Sequence, residues 1–524
     1  MAEQIQTIDN WSKGINSLKD PRYLEPLSPK STTAECVELD NMDITEEGSL
    51  ITSSGYEVFS ELGSGSGGPQ LLYNFEQDDD NAWLIIGHGD EYYTNTAADQ
   101  TWTSIGDFGT AANYIGAVTY LGTSATRRAI LGTDITANTI QKWDGTGNIA
   151  AIGGAPPTSG WIMEVFQGRL FVALGATLYY TSVEDETDFA GGGTIGFNDI
   201  ITGLKVEGNR LVVFTKTYHQ GVFFRFDDAN VLSSALKEQF ERQYGCLAPG
   251  SIQQEAANLI YWAEEGVHRL GTEENYAELV PRPQSISRWI DPTLRQIRKA
   301  NRYKAASIYK NQQYFLAAPF NSNFNDKTFA FNTNFDAWTT RSGFNPSAFA
   351  LFRDANYKED VYFADANNPI IYKFNDRYNY AGSGYTRRVT SGEYIAGAPL
   401  RNKYWYWMKI SGEIYTPTKF TVRIIVDNDF QDFEIDKSSL ITSSFSQYLG
   451  QVYIGTGFVG GSMVNESSFK KFEEYIKFPM KLREGFAMQY KIFNNAPNQP
   501  FKITRIQFGW EYAPSGKIPS KHIN

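Results

Sequence analysis

The stretch GWIMEVFQGRLFVALGATLYYTS, residues 160–182, decides the fold class of this chain. Gln167-Gly168 and Gly175-Ala176 predict two tight turns within it. The turns separate three short strands of apolar, aromatic and β-branched residues: Trp161–Phe166, Arg169–Leu174 and Leu178–Thr181. An antiparallel meander of this size does not bury its apolar faces alone, so the rest of the chain must supply neighbouring sheets.

The same pattern recurs about seven times between residues 70 and 380, at a spacing of roughly 35 to 50 residues. The repeats cover Leu71–Gly106, Tyr114–Gly154, Gly160–Phe189, Ile201–Asp227, Ser251–Thr272, Ala305–Ser342 and Ala348–Asp376. Four short strands per repeat at this period indicate a β-propeller. Only 231–243 and 292–300 have helical periodicity, and they are predicted to be short helical insertions between blades.

Longer strands follow residue 385, and the propeller period ends there. Apolar residues alternate from Phe420 to Val426, and again from Ile503 to Phe508 if one shift of register is allowed. This pattern is typical of a β-sandwich or platform. The sequence thus predicts an all-β protein with about seven blades and four parts: an N-terminal segment and hinge (1–69), a β-propeller (70–385), a β-sandwich or platform (386–512) and a C-terminal tail (513–524). The N-terminal segment is expected to contain a hairpin, Val37–Ile44 with Leu50–Val58.

Composition indicates a folded protein, with 41% hydrophobic and 20% charged residues in 524. The net charge of −12 argues against a surface that coats nucleic acid, although an acidic wall suits a pore through which DNA slides. An ordinary acidic surface is the simpler explanation of the charge. No apolar run reaches the length of a membrane-spanning helix, and the N-terminus lacks the order of a signal peptide.

No catalytic, cofactor-binding or metal-binding residues are predicted. The four histidines, namely His88, His219, His268 and His522, have no ligand spacing among themselves or with a cysteine. No Gly-rich loop precedes a helix, and Gly63-Ser64-Gly65-Ser66-Gly67 lies in the hinge, where a nucleophile elbow does not form. Cys36 and Cys246 are too few for a disulfide scaffold; they are either buried thiols or one disulfide.

Two acidic clusters and one aromatic run have alternative interpretations. Asp78-Asp79-Asp80 and the group Asp185, Glu186 and Asp188 are either solvated turn residues or Ca²⁺ ligands. The run Tyr404–Trp407 is either buried strand packing or a platform for sugars. Propellers also include glycosidases, but the sequence does not show two carboxylates facing each other across a channel.

The N-terminal segment carries a recognisable series of residues: Gly14-Ile15-Asn16, Asp20-Pro21, Ala34, Asn41-Met42-Asp43, Glu47-Gly48-Ser49-Leu50 and Ser54-Gly55. This series resembles the start of bacteriophage tail propeller proteins, with Ser53-Ser54-Gly55 where an Arg-x-Gly is usual. The chain length, the weakly repeating blades and the trailing β-domain are similar to those of the tail-nozzle proteins of short-tailed phages.

The resemblance implies a structural virion protein of the tail and not an enzyme. Such proteins form a homohexameric ring below the portal and adaptor, extend the DNA channel, retain the genome until ejection and carry fibres or spikes. Asn321–Asn325 and Gly191–Gly193 are candidate loops for a constriction. The alternatives are a tail hub or fibre-attachment protein, a carbohydrate-binding or glycoside-cleaving propeller, and a cellular scaffold.

Overall fold

The computed structural model describes residues 3–514 except 27, 29, 63–66, 79–80, 97–99, 123–125, 227–231, 238–243, 276–277, 354–357 and 441–468. The chain forms two compact units. The sandwich unit comprises Met1–Glu57, Phe329–Gly343 and Asn375–Asn524, and the propeller unit comprises Val58–Thr328 and Phe344–Phe374. The units therefore divide the chain at other points than the predicted boundaries, because the first 57 residues cluster with the C-terminal part.

Five strands precede the blades: β1 (Gln4–Ile8), β2 (Cys36–Asp40), β3 (Met42–Ile44), β4 (Leu50–Thr52) and β5 (Tyr56–Glu61). A 3-10 turn, Pro21–Tyr23, lies between β1 and β2. The predicted hairpin is confirmed for β3 and β4, in which Met42 pairs with Thr52. Asn41 separates β2 from β3 with a φ of 55°, and β2 consequently belongs to another sheet.

The first three blades are antiparallel meanders of four strands each. Their strands are β6 (Leu71–Glu76), β7 (Ala82–His88), β8 (Glu91–Asn95), β9 (Thr103–Asp107), β10 (Ile115–Leu121), β11 (Arg127–Thr133), β12 (Gln141–Trp143), β13 (Ala150–Ala151), β14 (Ile162–Phe166), β15 (Arg169–Leu174), β16 (Thr177–Tyr180) and β17 (Gly193–Gly196). The opening stretch thus forms the strands expected of it. Gln167 and Gly168 both have positive φ, 49° and 69°, as a tight two-residue hairpin turn requires.

The next part of the chain continues the meander with a short helical insertion before β26. Its elements are β18 (Ile201–Glu207), β19 (Arg210–Thr215), β20 (His219–Phe226), β21 (Leu232–Lys237), a 3-10 turn (Pro249–Ser251), β22 (Gln253–Glu255), β23 (Asn258–Trp262), β24 (Val267–Asn275), β25 (Glu278–Ser285), α1 (Asp291–Leu294), a 3-10 helix (Lys299–Lys304), β26 (Ala306–Lys310), β27 (Gln313–Ala318), β28 (Lys327–Asn332), β29 (Ala337–Ser342), β30 (Pro346–Arg353), β31 (Glu359–Asp365) and β32 (Ile370–Phe374).

Seven inner strands close a ring in the propeller unit. Contacts run along β6, β10, β14 and β18, and along β22, β26, β30 and back to β6. A core cluster containing Phe214 and Ile252 joins the blades of β18 and β22. In the described part of the chain six blades are complete four-stranded sheets, and β26 and β27 pair as a hairpin of the seventh. The fold is a β-propeller with an added β-sandwich.

The ring closes with a strand from before the first blade. β5 is the outer strand of the sheet that begins with β30, β31 and β32. Phe59 on β5 is buried and packs edge-on against Tyr362 on β31, with ring centroids 4.8 Å apart. A closed propeller leaves only short, protected strand edges, so this strand completes the last blade.

The helix prediction for 231–243 is wrong over Leu232–Lys237, which forms the strand β21. Pairing with β20, in which Val222 lies opposite Lys237, overrides the helical spacing of the leucines. The remaining residues of that prediction, 231 and 238–243, lie outside the described residues. The prediction for 292–300 is confirmed in part by α1 and the following 3-10 helix. No helix of the described chain is long and apolar enough to cross a membrane.

The sandwich unit consists of two sheets. The remaining elements are β33 (Arg387–Ser391), β34 (Lys403–Ile414), β35 (Lys419–Val426), β36 (Asp429–Asp436), a 3-10 turn (Ser438–Leu440), β37 (Lys470–Lys477), a 3-10 turn (Met480–Leu482), β38 (Glu484–Gly485), β39 (Met488–Asn494) and β40 (Phe501–Tyr512). One sheet has the order β3-β4-β40-β34-β37, with β1 on β40 and β38 on β34. The other runs β29-β2-β33-β39-β35-β36 within this unit.

Aromatic side chains fill the space between these two sheets. Phe420 of β35 stacks on Phe501 of β40, with centroids 5.1 Å apart, and lies 5.7 Å from Phe472 of β37. The predicted shift of register in β40 is confirmed. Ser411 pairs with Arg505 and Gly412 with Ile503, so one residue of β40 forms a bulge.

Candidate functional site: the axial face of the propeller

All inner strands begin at one face of the propeller, because each blade repeats the same meander from the axis outward. This face is called the N-terminal face below. The segments that lead into the inner strands meet there, around the axis of the ring. Propellers position functional side chains on such loops, so the N-terminal face is the first place to look for a site.

Three aromatic side chains meet across the axis at the N-terminal face. Tyr114 precedes β10 and stacks on Trp161, which precedes β14, with centroids 4.9 Å apart. Tyr303 precedes β26 and contacts Tyr114 edge-on at 5.6 Å. Because β26 and β10 lie on opposite sides of the ring, this contact spans the axis. We call Tyr114, Trp161 and Tyr303 the axial aromatic cluster.

The segment that carries Tyr303 is held by hydrogen bonds to neighbouring turns. The buried amide of Asn325 donates to the carbonyls of Lys304, at 3.0 Å, and Pro346, at 2.7 Å. The buried guanidinium of Arg302 donates to the carbonyl of Glu264 at 2.8 Å. Burial lowers the pKa of Arg302, and no carboxylate pairs directly with it in these contacts. Tyr303 is therefore positioned by its backbone and remains 41% exposed.

Polar side chains face one another between inner strands below this cluster. The hydroxyl of Tyr73 on β6 lies 2.8 Å from that of Thr119 on β10. Lys205 of β18 pairs with Glu164 of β14 at 3.3 Å. Burial, with a contribution from the charge of Glu164, raises the pKa of Tyr73 to about 12. These pairs are mutually satisfied, which is the arrangement of packing contacts and not of a poised acid and base.

The acidic clusters act as turn and packing residues in the described structure. Asp78 accepts from the backbone and side chain of Asn81, and residues 79–80 lie outside the described part. Asp185 accepts from the backbone and hydroxyl of Thr187, which lowers its pKa. Asp188 accepts from the Gly191 amide at 2.6 Å. Among described residues, no group of three His, Cys, Asp or Glu side chains is placed to hold a metal ion.

Glu186 has a different environment from its neighbours in sequence. It is buried and forms ion pairs with Arg128 and with Lys142, the latter at 3.2 Å. Burial alone would raise its pKa, but a hydrogen bond from its own backbone amide and the two cations together lower it. Glu186 thus ties the loop after β16 to β11 and β12 of the preceding blade.

The described histidines and cysteines are core residues. His88, His219 and His268 are buried, and burial lowers the pKa of His268, which stacks on Tyr244 with centroids 4.5 Å apart. Cys36 and Cys246 are buried free thiols, so the disulfide alternative does not apply. Burial raises the pKa of Cys246 to about 11. His522 and residues 63–66 lie outside the described part.

The aromatic run of β34 is divided between the two faces of its sheet. One face is buried packing, and the other is exposed, as a platform for sugars would be. Trp405 is fully buried and lies 6.1 Å from Trp510 in the sandwich core. Trp407 follows a bulge and instead stacks on Tyr475 of β37 at 5.5 Å, on the outer face of the sheet. Tyr475 is 57% exposed. The outer pair, and not the whole run, is the part open to a ligand.

The residues that carry the N-terminal resemblance build a hydrogen-bond network in the sandwich unit. Asn41 donates to the carbonyls of Ser342, at 3.2 Å, and Thr386, at 2.6 Å, and accepts from the Tyr380 hydroxyl at 2.8 Å. The Asp43 carboxylate accepts two bonds from Arg341, at 2.9 and 3.1 Å. The series therefore fastens the N-terminal segment to distant parts of its unit.

Two glycines of the series have no room for a side chain. A Cβ on Gly14, whose φ is 62°, would lie 2.6 Å from the carbonyl oxygen of Trp338. A Cβ on Gly55 would lie 1.9 Å from the carbonyl oxygen of Asn379. These positions require glycine for close backbone approach.

Neither candidate constriction loop leads into an inner strand. Gly191–Gly193 runs into β17, the outer strand of its blade, which begins at Gly193. Asn321–Asn325 joins β27 to β28, and its Asn325 supports the segment that carries Tyr303. The sequence interpretation did not find the axial aromatic cluster. The available signal was the aromatic residue directly before the inner strand in two successive repeats, Tyr114 and Trp161.

No protein-family profile and no curated protein matches the chain. Among solved structures, BBS1N in complex with ARL6DN is similar at 11% identity with a TM-score of 0.39, covering 61% of this chain and 97% of that chain, in a crystal soaked with lead. The same complex in a crystal soaked with mercury has 11% identity and a TM-score of 0.35, and the match covers 65% of this chain and 97% of that chain. The extracellular domain of BT4673 from B. thetaiotaomicron has 10% identity and a TM-score of 0.38, and the match covers 87% of this chain and 62% of that chain. At these values the likenesses carry no inference about function.

Proposed function

We propose that this chain is a structural, non-enzymatic protein of a phage particle, and specifically the tail nozzle of a short-tailed bacteriophage. Six copies would form a ring that extends the DNA channel below the portal and adaptor, retains the genome and carries fibres or spikes. Such a role requires a rigid body and large surfaces for neighbouring subunits. It does not require a catalytic centre.

The exposed apolar surface of the sandwich unit carries this proposal. Leu400 is 94% exposed and Met480 is 78% exposed. Four further large apolar residues of this unit are more than half exposed: Ile5, Tyr23, Phe430 and Tyr475. Single exposed apolar residues are ordinary, but this number of large ones in one unit favours surfaces that partners cover.

The axial aromatic cluster limits where DNA could pass in such a ring. Tyr303 contacts Tyr114 across the propeller axis, so the axis of a single propeller is obstructed at its N-terminal face. The DNA path of the proposed assembly would therefore lie between subunits. A cyclic ring with heterologous, self-closing interfaces encloses a path of this kind.

Antibody labelling of purified particles, viewed by negative stain, tests the proposal. The antibody is raised against the purified full chain, and particles come from the source lysate. Label at the distal end of a short tail is expected. Label elsewhere on the tail would replace the nozzle with a hub or fibre-docking role, and unlabelled particles would remove the virion hypothesis.

A glycan-binding role is the second candidate, and one observation favours it. The stacked pair of Trp407 and Tyr475 offers an aromatic face at the surface, as sugar-binding sites do. Glycan-array binding that disappears in a Tyr475→Ala variant, with unlabelled phage particles, would favour this candidate over the nozzle.

A further inference from the structure

A strongly basic segment lies on the N-terminal face of the propeller in a chain whose net charge is −12. The segment 288–304, RWIDPTLRQIRKANRYK, contains six Arg or Lys residues and one acidic residue, Asp291. It leads into β26, so it approaches the axis at the N-terminal face. The whole-chain charge therefore conceals a local surface of opposite sign.

The segment is folded with its cations on the solvent side. Ile290, Leu294 and Ile297 are buried and follow one another at spacings of four and three residues, which puts them on one helical face. Arg295 and Arg298 lie on the other side and are exposed. The apolar face thus anchors the segment to the propeller, and the arginines are presented to solvent.

Three of the arginines have no carboxylate partner among the described residues. Arg288, Arg295 and Arg298 form no ion pair with any residue that the structure describes. The nearby acids have other partners or stay in solvent. Glu264 pairs with Lys299, and Asp291 accepts from the Ser287 hydroxyl at 2.6 Å.

Among the described residues, Glu265 is a further acid on the adjacent turn, and it is exposed. Asp291 and Glu265 are then two carboxylates without a cationic partner among the described residues, against three such guanidinium groups, so the surface stays positive. Arg295 also lowers the pKa of the buried Arg302, which shows how closely the cations are grouped.

Exposed aromatic rings are interleaved with these cations. Trp289 is 36% exposed, and the Arg288 guanidinium lies 5.4 Å from its ring centroid. Tyr303 is 41% exposed, and the Lys304 amine lies 5.9 Å from its ring. Guanidinium groups match phosphate oxygens in geometry, and flat aromatic faces stack on unpaired bases.

We propose that the segment 288–304 binds a single-stranded nucleic acid. Arg288, Arg295 and Arg298 contact phosphates, while Trp289 and Tyr303 stack on bases. Acidic protein surfaces would satisfy the arginines but would not use the exposed ring faces of Trp289 and Tyr303, so the nucleic acid is the better fit. This inference does not depend on the nozzle proposal, since it concerns a surface of the single chain.

Fluorescence anisotropy with a labelled oligo-dT tests the inference on the full chain. With about three phosphate contacts, the logarithm of the binding constant is expected to fall against the logarithm of salt concentration with a slope of about −2. Arg288→Ala/Arg295→Ala/Arg298→Ala should abolish this slope and weaken binding at least tenfold. Trp289→Ala should weaken binding about fivefold or more while keeping the slope.

Lys470→Ala/Lys471→Ala/Lys477→Ala is the matched control, because it removes the same charge from exposed positions of the sandwich unit. It should bind like the original chain. The inference is overturned if the original chain does not bind at low salt or if the control loses as much affinity. It is also overturned if duplex DNA or polyglutamate competes as well as the single strand. Circular dichroism confirms that each variant is folded.

Discussion

The ring of Tyr303 lies 5.6 Å from that of Tyr114, although the two residues precede inner strands on opposite sides of the propeller. The contact joins the segments that lead into β10 and β26 at the N-terminal face. It also ties a helical insertion to a blade that is distant in sequence. The axial aromatic cluster thus joins opposite blades and also obstructs the axis.

Removing the Tyr303 ring should destabilise the N-terminal face locally. Tyr303→Ala is expected to lower the free energy of unfolding by about 0.5 to 1.5 kcal/mol, because an edge-to-face aromatic contact is lost. Hydrogen exchange should increase at the backbone around Tyr114 and Trp161. Tyr23→Ala, at an exposed tyrosine of the sandwich unit, is the control. Unchanged exchange around both residues in Tyr303→Ala would show that the contact does not clamp the ring.

Ring closure by β5 should depend on the inward side chain of that strand. Phe59→Ala is expected to lower the free energy of unfolding by about 3 to 5 kcal/mol, because it leaves a cavity beside Tyr362. Val58→Ala, at the preceding residue, should change the free energy of unfolding by less than about 0.5 kcal/mol because Val58 is 46% exposed. Urea denaturation measures both. Equal effects would mean that β5 does not close the ring through this face.

Replacing Asn41 should destabilise the protein even when the new residue is glycine. Its φ of 55° suits glycine, so Asn41→Gly leaves the backbone unstrained and removes only the side-chain hydrogen bonds. A loss of about 2 kcal/mol or more is expected from the unsatisfied groups left behind. Asn311→Gly makes the same change at an exposed turn with a φ of 50° and should be neutral or slightly stabilising. Similar thermal-unfolding midpoints for the two variants would contradict the network.

Lys403 should make stability depend on pH in the alkaline range. Its amine is buried and donates to the carbonyls of Ala398, Arg401 and Phe486, and burial lowers its pKa to about 8. Between pH 8 and about 10 the unfolded chain holds a proton that the folded chain has released. Stability should therefore rise with pH in this window, by up to about 1.4 kcal/mol per unit.

The Lys403→Met variant should lack this rise, whereas Lys471→Met, at an exposed position, should keep it. The urea midpoint at a series of pH values measures the slope in each. Identical slopes for the original chain and Lys403→Met would rule out Lys403 as the source.

The proposed ring should depend on the most exposed apolar residues of the sandwich unit. Leu400→Asp with Met480→Asp should reduce assembly, since a charge in an apolar interface is costly to desolvate. Leu121→Asp, at a 52% exposed residue of the propeller unit, is the control. Light scattering after size-exclusion chromatography measures the mass. A monomeric original chain, at concentrations where tail proteins assemble, would leave these residues without the proposed role.

Local patterns predicted the blades because each meander is encoded by neighbouring residues. The turn at Gln167-Gly168 and the bulge in β40 both follow from sequence alone, since turn chemistry and alternation are short-range properties. β21 was predicted as a helix because the spacing of its leucines fits one, and only its pairing with β20 reveals the strand. The spacing of apolar residues does not show which strand a segment pairs with.

Long-range pairings were the part that the sequence did not reveal. The role of β5 in the last blade joins residues at the two ends of the propeller, and no local pattern marks that contact. The axial aromatic cluster likewise needs the ring order of the inner strands before Tyr303 and Tyr114 are known to meet. The turn bonding of Asp185 and Asp188, by contrast, was one of the two interpretations that the sequence offered, because such bonding is local.

The position of β5 has a consequence for the nascent chain on the ribosome. β5 is synthesised before any blade, while its partner β32 follows roughly 300 residues later, which corresponds to about 15 to 60 s of translation. During that interval its apolar residues, Phe59 among them, have no permanent partner. The last blade is thus complete only when β32 has been synthesised and pairs with β5. A ribosome stalled before residue 370 would hold an open ring with an exposed edge, the species that chaperones recognise.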